Sequence, residues 1–221
     1  MEFLNNVGRN RLGDALAKSI DEGAKLSIIS SYFTVFAFSE LKEELEKVDS
    51  VRFLFSEPTF VKRMASDKDP RQFAISQCSR ERGVGGLGLE LTLRNNLNQR
   101  AIARECAEWV RAKCEFQSAK MNGAIQPGGT YIVENPNGDD HAFMGAAADF
   151  TKEGLGYERR PNTVMGVSHY EGATETAGLK AMFESVWDKP AMVADVTDEI
   201  AAQVGTLYRE NPPEFVYFLT L

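Results

Sequence analysis

The residue types best suited to chemistry are sparse in this chain. Only two histidines occur among its 221 residues, His141 and His169. Asp139 and Asp140 precede His141, but a closed metal site needs a second cluster of ligands. We therefore interpret this segment as a solvated turn and predict neither a metal site nor a cofactor. Ser168 and His169 are sequence neighbours, which places them poorly as nucleophile and base, so no hydrolytic triad is predicted.

Nucleotide-binding motifs are not convincing either. Gly83, Gly85 and Gly88 fit the spacing G-x-G-x-x-G, but they follow a polar segment rather than a strand, which predicts a flexible loop. The sequence contains no G-x-x-x-x-G-K-[ST] motif. This chain is therefore not itself an ATP motor of the P-loop kind.

One predicted helix carries a stripe of basic side chains. The stripe is formed by Arg100, Arg104 and Arg111, which lie near one line along the helix, with Arg94 before them and Lys113 after them. Such a stripe could follow the phosphates of a DNA backbone. Alternatively it is a solvated helix face, on which Arg104 pairs with Glu108 four residues later. The net charge of −7 disfavours general binding to polyanions, and both interpretations stay open.

Composition predicts an ordinary globular domain, because 43% of the residues are hydrophobic and 26% are charged. No apolar run reaches the length of a spanning helix, and the N-terminus lacks the pattern of a signal peptide. We expect a cytoplasmic protein. The three cysteines form no C-x-x-C pair and are expected to be small core residues rather than disulfides or zinc ligands.

The first part of the chain predicts a parallel βαβ unit. Apolar residues at helical spacing from Leu12 to Ile20 predict an amphipathic helix that ends before Gly23. A buried strand is predicted over Lys25–Phe33, a helix over Phe38–Val48 and a second strand over Val51–Phe55. Strand, helix and strand within about thirty residues indicate an α/β fold.

The remaining pattern is more mixed. Residues 57–93 are charged and glycine-rich and predict a long, mobile insertion. The predicted elements after it are a helix at Leu97–Lys113, strands at Cys114–Ser118, Thr130–Glu134 and His141–Met144, and helices at Thr174–Trp187 and Asp195–Tyr208. A turn at Asn135–Gly138 should join the last two strands as a hairpin. The chain ends inside an apolar run, which predicts that the protein continues beyond Leu221.

Residues 142–156, AFMGAAADFTKEGLG, resemble the strand and turn G-S-x-N-F-T-x-x-G-L of phospholipase D-like domains. Residues 30–41, 96–109 and 213–221 resemble the phospholipase D-like domain found at the N-terminus of bacterial Swi/Snf-type DNA helicases. The resemblance covers nearly the whole chain and implies a mixed sheet flanked by helices, with additional C-terminal helices. It implies a phospholipase D-like domain over 1–190, and a segment over 191–221 that leads to a helicase region.

In active members of this family a histidine attacks the phosphodiester, a second histidine acts as acid and lysines neutralise the phosphate. Members with a single H-x-K motif assemble the site across a homodimer. Here Pro127 and Gly129 stand where the histidine and lysine are expected, and Asp149 replaces an asparagine. Phosphodiesterase activity by this mechanism is therefore not expected.

The resemblance thus leads to a non-catalytic accessory domain of a bacterial DNA helicase or translocase, in restriction or phage defence. It would bind the DNA backbone or form a homodimer, with the helicase motor in the same polypeptide. One alternative is a nuclease with a rearranged site around His141, Asp149 and Thr151. Another is a module that recruits a protein partner.

Overall fold

The computed structural model describes residues 1–57, 88–121, 123–125, 128–158 and 166–206. The strands are β1 (Glu2–Leu4), β2 (Lys25–Ser30), β3 (Ser50–Phe55), β4 (Cys114–Ala119), β5 (Gly129–Glu134), β6 (His141–Gly145), β7 (Val167–Glu171) and β8 (Val193–Asp195). The helices are α1 (Leu12–Ser19), α2 (Val35–Glu40), α3 (Lys42–Leu45), α4 (Gly88–Lys113), α5 (Ala173–Trp187) and α6 (Thr197–Thr206). Within the described residues, the eight strands form one sheet in the order β1-β7-β6-β5-β2-β3-β4-β8. The predicted mixed α/β class is confirmed.

The centre of the sheet is parallel. β2 pairs in parallel with β3, and β3 pairs in parallel with β4, so the predicted βαβ unit is confirmed. Parallel strands need covered faces, which explains why β2 is buried at every residue after Lys25.

The crossover between β2 and β3 differs from the single helix predicted over Phe38–Val48. It consists of α2 and α3, and the break falls at the fully buried Leu41. α2 begins earlier than predicted because Thr34 caps it: the Ala37 amide donates to Thr34 Oγ1 over 3.1 Å.

The other half of the sheet is antiparallel. β5 and β6 form the predicted hairpin around Asn135–Gly138, with Gly138 at φ +81°. β5 also pairs antiparallel with β2, and β6 pairs with β7. β1 then pairs with β7 and forms one edge of the sheet. β1, β7 and β8 were not predicted, because each is short and carries few apolar residues.

Helices pack on both faces of the sheet. One core joins α1, α2, α4 and α6 to inward residues such as Ile28, Phe53 and Phe143. The second core joins α5 to alternate strand residues such as Ile29 and Leu54. The Arg52 guanidinium on β3 donates to both carboxylate oxygens of Glu184 over 3.0 and 2.8 Å, which ties α5 to this face.

The first residues of α4 and α6 differ from the predicted helix starts. α4 starts at Gly88, so the last residues of the predicted insertion are helical, while 58–87 lie outside the described residues. α6 starts at Thr197 rather than Asp195, which belongs to β8. β8 pairs with β4, and α6 packs on α4. Across the described ranges, each helix is too short or too polar to cross a lipid bilayer.

Candidate functional site

A cluster of hydroxyl groups and one carboxylate lies where the parallel strands end, and we call it the strand-end cluster: Ser30, Ser31, Ser56 and Asp149. Ser30 is the last residue of β2, and Ser56 directly follows β3. Asp149 Oδ1 accepts from the Ser31 amide over 3.0 Å and lies 3.1 Å from Ser30 Oγ. The hydroxyls of Ser31 and Ser56 are 2.8 Å apart. Ligands of α/β proteins commonly bind at this end of a parallel sheet.

The loop that follows β6 packs against the start of β5, and its Ala148 directly precedes Asp149 of this cluster. Gly129 opens β5, and a Cβ at this residue would lie only 1.5 Å from the Ala148 carbonyl oxygen. The same oxygen accepts a hydrogen bond of 2.8 Å from the fully buried Tyr131 hydroxyl. Burial raises the pKa of Tyr131 well above 10, so this phenol stays neutral and keeps donating. The Ala148 backbone therefore occupies the place into which a side chain at residue 129 would extend.

The residues of the alternative nuclease site are not brought together. His141 is the first residue of β6, whereas Asp149 lies four residues beyond its end, beside Ser30. Thr151 Oγ1 accepts from the Gly154 amide over 2.9 Å and stabilises the turn after the strand. His141 and Asp149 thus lie at opposite ends of β6. Pro127 lies outside the described residues.

Some side chains of the basic stripe make contacts within the fold. Arg104 pairs with Glu108 at 3.0 Å on an exposed face of α4, as the solvated-face interpretation predicts. Lys113 Nζ donates to the carbonyls of Glu46 and Val48 over 2.6 and 2.7 Å, so it fastens the end of α4 to the segment before β3. Arg111 is exposed. The side chains of Arg94 and Arg100 lie outside the described residues.

The two histidines meet, although 28 residues separate them. We call His141 and His169 the histidine pair. β6 and β7 pair with His141 opposite Glu171 and Phe143 opposite His169, which puts all four side chains on one face of the sheet. His141 Nδ1 lies 3.2 Å from His169 Nε2. The His169 ring stacks on Phe143 with centroids 4.3 Å apart and an interplanar angle of 7°.

Carboxylates surround the histidine pair. His169 Nδ1 lies 3.8 Å from both Glu2 and Glu171, and His141 Nε2 lies 3.7 Å from Asp139. Burial lowers the pKa of His169 below 6.5, although the charge of Glu171 acts in the opposite direction. His169 is therefore mainly neutral near pH 7, the form in which one ring nitrogen carries a proton and the other has a free lone pair.

Sequence reasoning considered the two histidines separately and missed this pair. The strand register brings them together, and a register is not readable from β7 alone because that strand is short and half polar. A usable signal was the alternation of Val167, His169 and Glu171, which places all three on one face of a strand.

An apolar surface lies at the β1 edge of the sheet, and we call Met1, Phe3 and Met144 the edge patch. Phe3 pairs with Ser168, which pairs with Met144, so the Phe3 and Met144 side chains share a face. Phe3 is 61% exposed and Met144 is 40% exposed. Single exposed apolar residues are common, but here three lie around a strand edge that no other described strand covers, which is a surface suited to a protein contact.

Comparison of the chain with known protein families and with curated protein sequences finds no match.

Proposed function

We propose that this chain is a non-catalytic phospholipase D-like accessory module that forms a homodimer in the service of an attached DNA helicase motor. The observation that carries the non-catalytic part is the position of the Ala148 carbonyl against Gly129. The family resemblance of residues 142–156 contributes the phospholipase D-like part. The edge patch contributes the surface for association.

The packing at residue 129 supports the absence of phosphodiester chemistry. A lysine there would need the volume that the Ala148 backbone fills, and the Tyr131 hydrogen bond fixes that backbone. Asp149 is held by Ser30 and Ser31, so its carboxylate works as a structural acceptor. No group of the strand-end cluster is a nitrogen nucleophile like the one that phospholipase D-like chemistry uses.

The absence of phosphodiesterase activity is tested with a nuclease assay on supercoiled plasmid and on a bis-aryl phosphodiester. Each assay is run with a chelator and with added Mg²⁺, Mn²⁺ or Zn²⁺. We expect no hydrolysis above the buffer rate under any of these conditions. Asp149→Asn serves as the control variant, because it restores the residue of the family motif. Hydrolysis by the wild-type chain that Asp149→Asn abolishes would overturn the proposal.

The open edge of the sheet supports association. β1 pairs only with β7 in the described sheet, so its other side offers backbone donors and acceptors to a second strand. Phe3 and Met144 lie beside this edge and would lose exposed apolar surface on contact. A second copy of the chain presents the same strand, which gives a self-complementary contact of the twofold kind.

Light scattering over a concentration series tests the dimer. We expect the wild-type mass to approach that of two chains, and Phe3→Ser combined with Met144→Ser to shift it towards one chain. Met121→Ser is the matched control, because Met121 is 63% exposed and follows β4, which lies near the sheet edge opposite β1. A monomeric wild-type mass at every concentration would contradict association.

Binding to the DNA backbone is a second candidate function, favoured by exposed Arg104 and Arg111 two turns apart on α4. Fluorescence anisotropy with duplex DNA over a salt series tests it. Arg104→Glu with Arg111→Glu should weaken binding and lower the salt dependence by about 0.9 per lost phosphate contact. Lys47→Glu with Lys189→Glu makes the same change in net charge and should have a smaller effect. Equal losses of DNA affinity in both double variants would exclude specific DNA binding by the basic stripe.

A further inference from the structure

We propose that the histidine pair and Glu171 form a binding site for a divalent transition-metal ion of the Zn²⁺ type. The site lies on β6 and β7, at the end of β6 away from the strand-end cluster. It is independent of the accessory function proposed above, because neither Gly129 nor the edge patch takes part in it. One donor atom from each of His141, His169 and Glu171 lies within 4.8 Å of the other two.

The separation of the facing ring nitrogens fits a shared ion. His141 Nδ1 and His169 Nε2 are 3.2 Å apart. Two imidazoles that bind one tetrahedral Zn²⁺ at about 2.0–2.1 Å have their nitrogens about 3.3–3.4 Å apart. The rings therefore already stand near the spacing that one ion requires. A direct hydrogen bond between two neutral rings also fits this distance, and the experiment below separates the two cases.

The other two ring nitrogens face carboxylates. His141 Nε2 lies 3.7 Å from Asp139, and His169 Nδ1 lies 3.8 Å from both Glu2 and Glu171. Glu2 remains beside Nδ1 when Glu171 turns to the ion. Metal-binding histidines commonly donate their second N–H to a carboxylate, which fixes the tautomer and increases the basicity of the ligand. The stack on Phe143 holds the His169 ring in place, and only 7% of its side chain is exposed. Each histidine thus has one nitrogen for an ion and one for an orienting partner.

Glu171 completes the set from an exposed position. Its Oε1 lies 3.8 Å from His169 Nδ1 rather than beside the Nε2 that faces His141, so the carboxylate must rotate to reach the ion. The side chain is 62% exposed, so this rotation meets little resistance. It also faces His141 across the β6–β7 pairing. Two imidazoles and one carboxylate are a donor set used by Zn²⁺, and three protein ligands leave a coordination position for water. Hard ions such as Mg²⁺ and Ca²⁺ prefer oxygen ligands and are disfavoured.

The experiment titrates the full chain with Zn²⁺ by calorimetry and with Co²⁺ by visible absorption. We expect one Zn²⁺ per chain and a Co²⁺ spectrum of nitrogen and oxygen ligands. Glu171→Gln should weaken Zn²⁺ binding at least about tenfold, and His141→Gln should weaken it more. Glu115→Gln, which changes an exposed strand carboxylate on β4, should leave binding unchanged.

The metal-binding readout does not depend on any activity. Glu171→Gln neutralises one exposed carboxylate that is not part of the core. Asp139→Asn should produce a smaller loss than His141→Gln, because Asp139 acts on the ion only through the imidazole. A sulfur-to-cobalt charge-transfer band would assign the ion to a cysteine and overturn the proposal. Equal affinity in the wild type and His141→Gln, or no Zn²⁺ binding at all, would leave the pair as a histidine hydrogen bond and also overturn it.

Discussion

At Gly129, the absence of a side chain decides what the position can do. The sequence alone shows that no lysine stands there. It does not show that the Ala148 carbonyl fills the adjoining space, because that follows from the path of the loop after β6. His141 and His169 give the same lesson in reverse: both are visible in the sequence, but their 3.2 Å contact depends on a strand register. The types and positions of individual residues could therefore be read from the sequence, whereas their contacts in the folded chain could not.

Replacing Gly129 by alanine should destabilise the fold. The added Cβ would overlap the Ala148 carbonyl, and overpacking of this kind costs about 1–3 kcal/mol. Gly178→Ala is the control, because nothing lies within 4 Å of a Cβ added there in α5. Removing a helical glycine should stabilise the protein by about 0.5–1 kcal/mol. Denaturant unfolding measures both, and equal stability of Gly129→Ala and the wild type would contradict the packing described for this loop.

At the level of elements, hydrophobic periodicity was informative where it was strong. The positions of α1, β2, β3 and the β5–β6 hairpin were predicted within a few residues, because their apolar spacing is regular. β7 was missed because polar residues occur at alternate positions of this strand. Its extended conformation is stabilised by pairing with β1. The early start of α2 was missed because the cap at Thr34 begins the helix before its apolar pattern indicates.

The Thr34 cap should contribute measurably to stability. Thr34→Ala removes the acceptor for the Ala37 amide and should lower the free energy of unfolding by about 1 kcal/mol. Thr174→Ala is the matched control, since Thr174 is exposed within the first turn of α5. If thermal or denaturant unfolding gives the same loss for both variants, the cap is not what starts α2.

Variants of Lys113 and Arg111 should show which of these two α4 side chains stabilises the fold. Lys113→Gln removes a charged donor from the carbonyls of Glu46 and Val48, and we expect a loss of about 1 kcal/mol. Arg111→Gln changes an exposed side chain and should leave the free energy of unfolding nearly unchanged. Denaturant unfolding of both variants checks this, and the opposite ranking would show that Lys113 is not part of the framework.

Across the whole molecule, the sheet separates two cores, and burial of ionisable groups follows from this arrangement. Burial raises the pKa of Cys106, Cys114 and Tyr131 because none of them gains a compensating positive partner strong enough to offset desolvation. The sequence correctly placed the two thiols in the core. It could not predict the burial of the Tyr131 hydroxyl, since its partner Ala148 lies in another loop.

This burial predicts a loss of stability at alkaline pH. In the unfolded chain the thiols ionise near 9.0 and the phenol near 10.0, whereas the folded chain keeps them protonated. The stability they contribute is complete below pH 9 and falls as the pH rises above it, with a slope of about 1.4 kcal/mol per pH unit for each group. Unfolding measured from about pH 8 to about pH 10.5 should show this fall. Cys106→Ala should reduce the slope, and a flat profile in the wild type would contradict the burial.

The edge strand β1 has a consequence for the order in which the chain folds during synthesis. Glu2 pairs with His169, so β1 leaves the ribosome well before its partner strand β7 and must wait for it. The parallel strands β2, β3 and β4 lie between Lys25 and Ala119 and can associate earlier. Until β7 emerges, the β1 segment lacks its partner strand in the described sheet and is open to chaperones. β1 is thus expected to join the sheet after the parallel strands, although it precedes them in the chain.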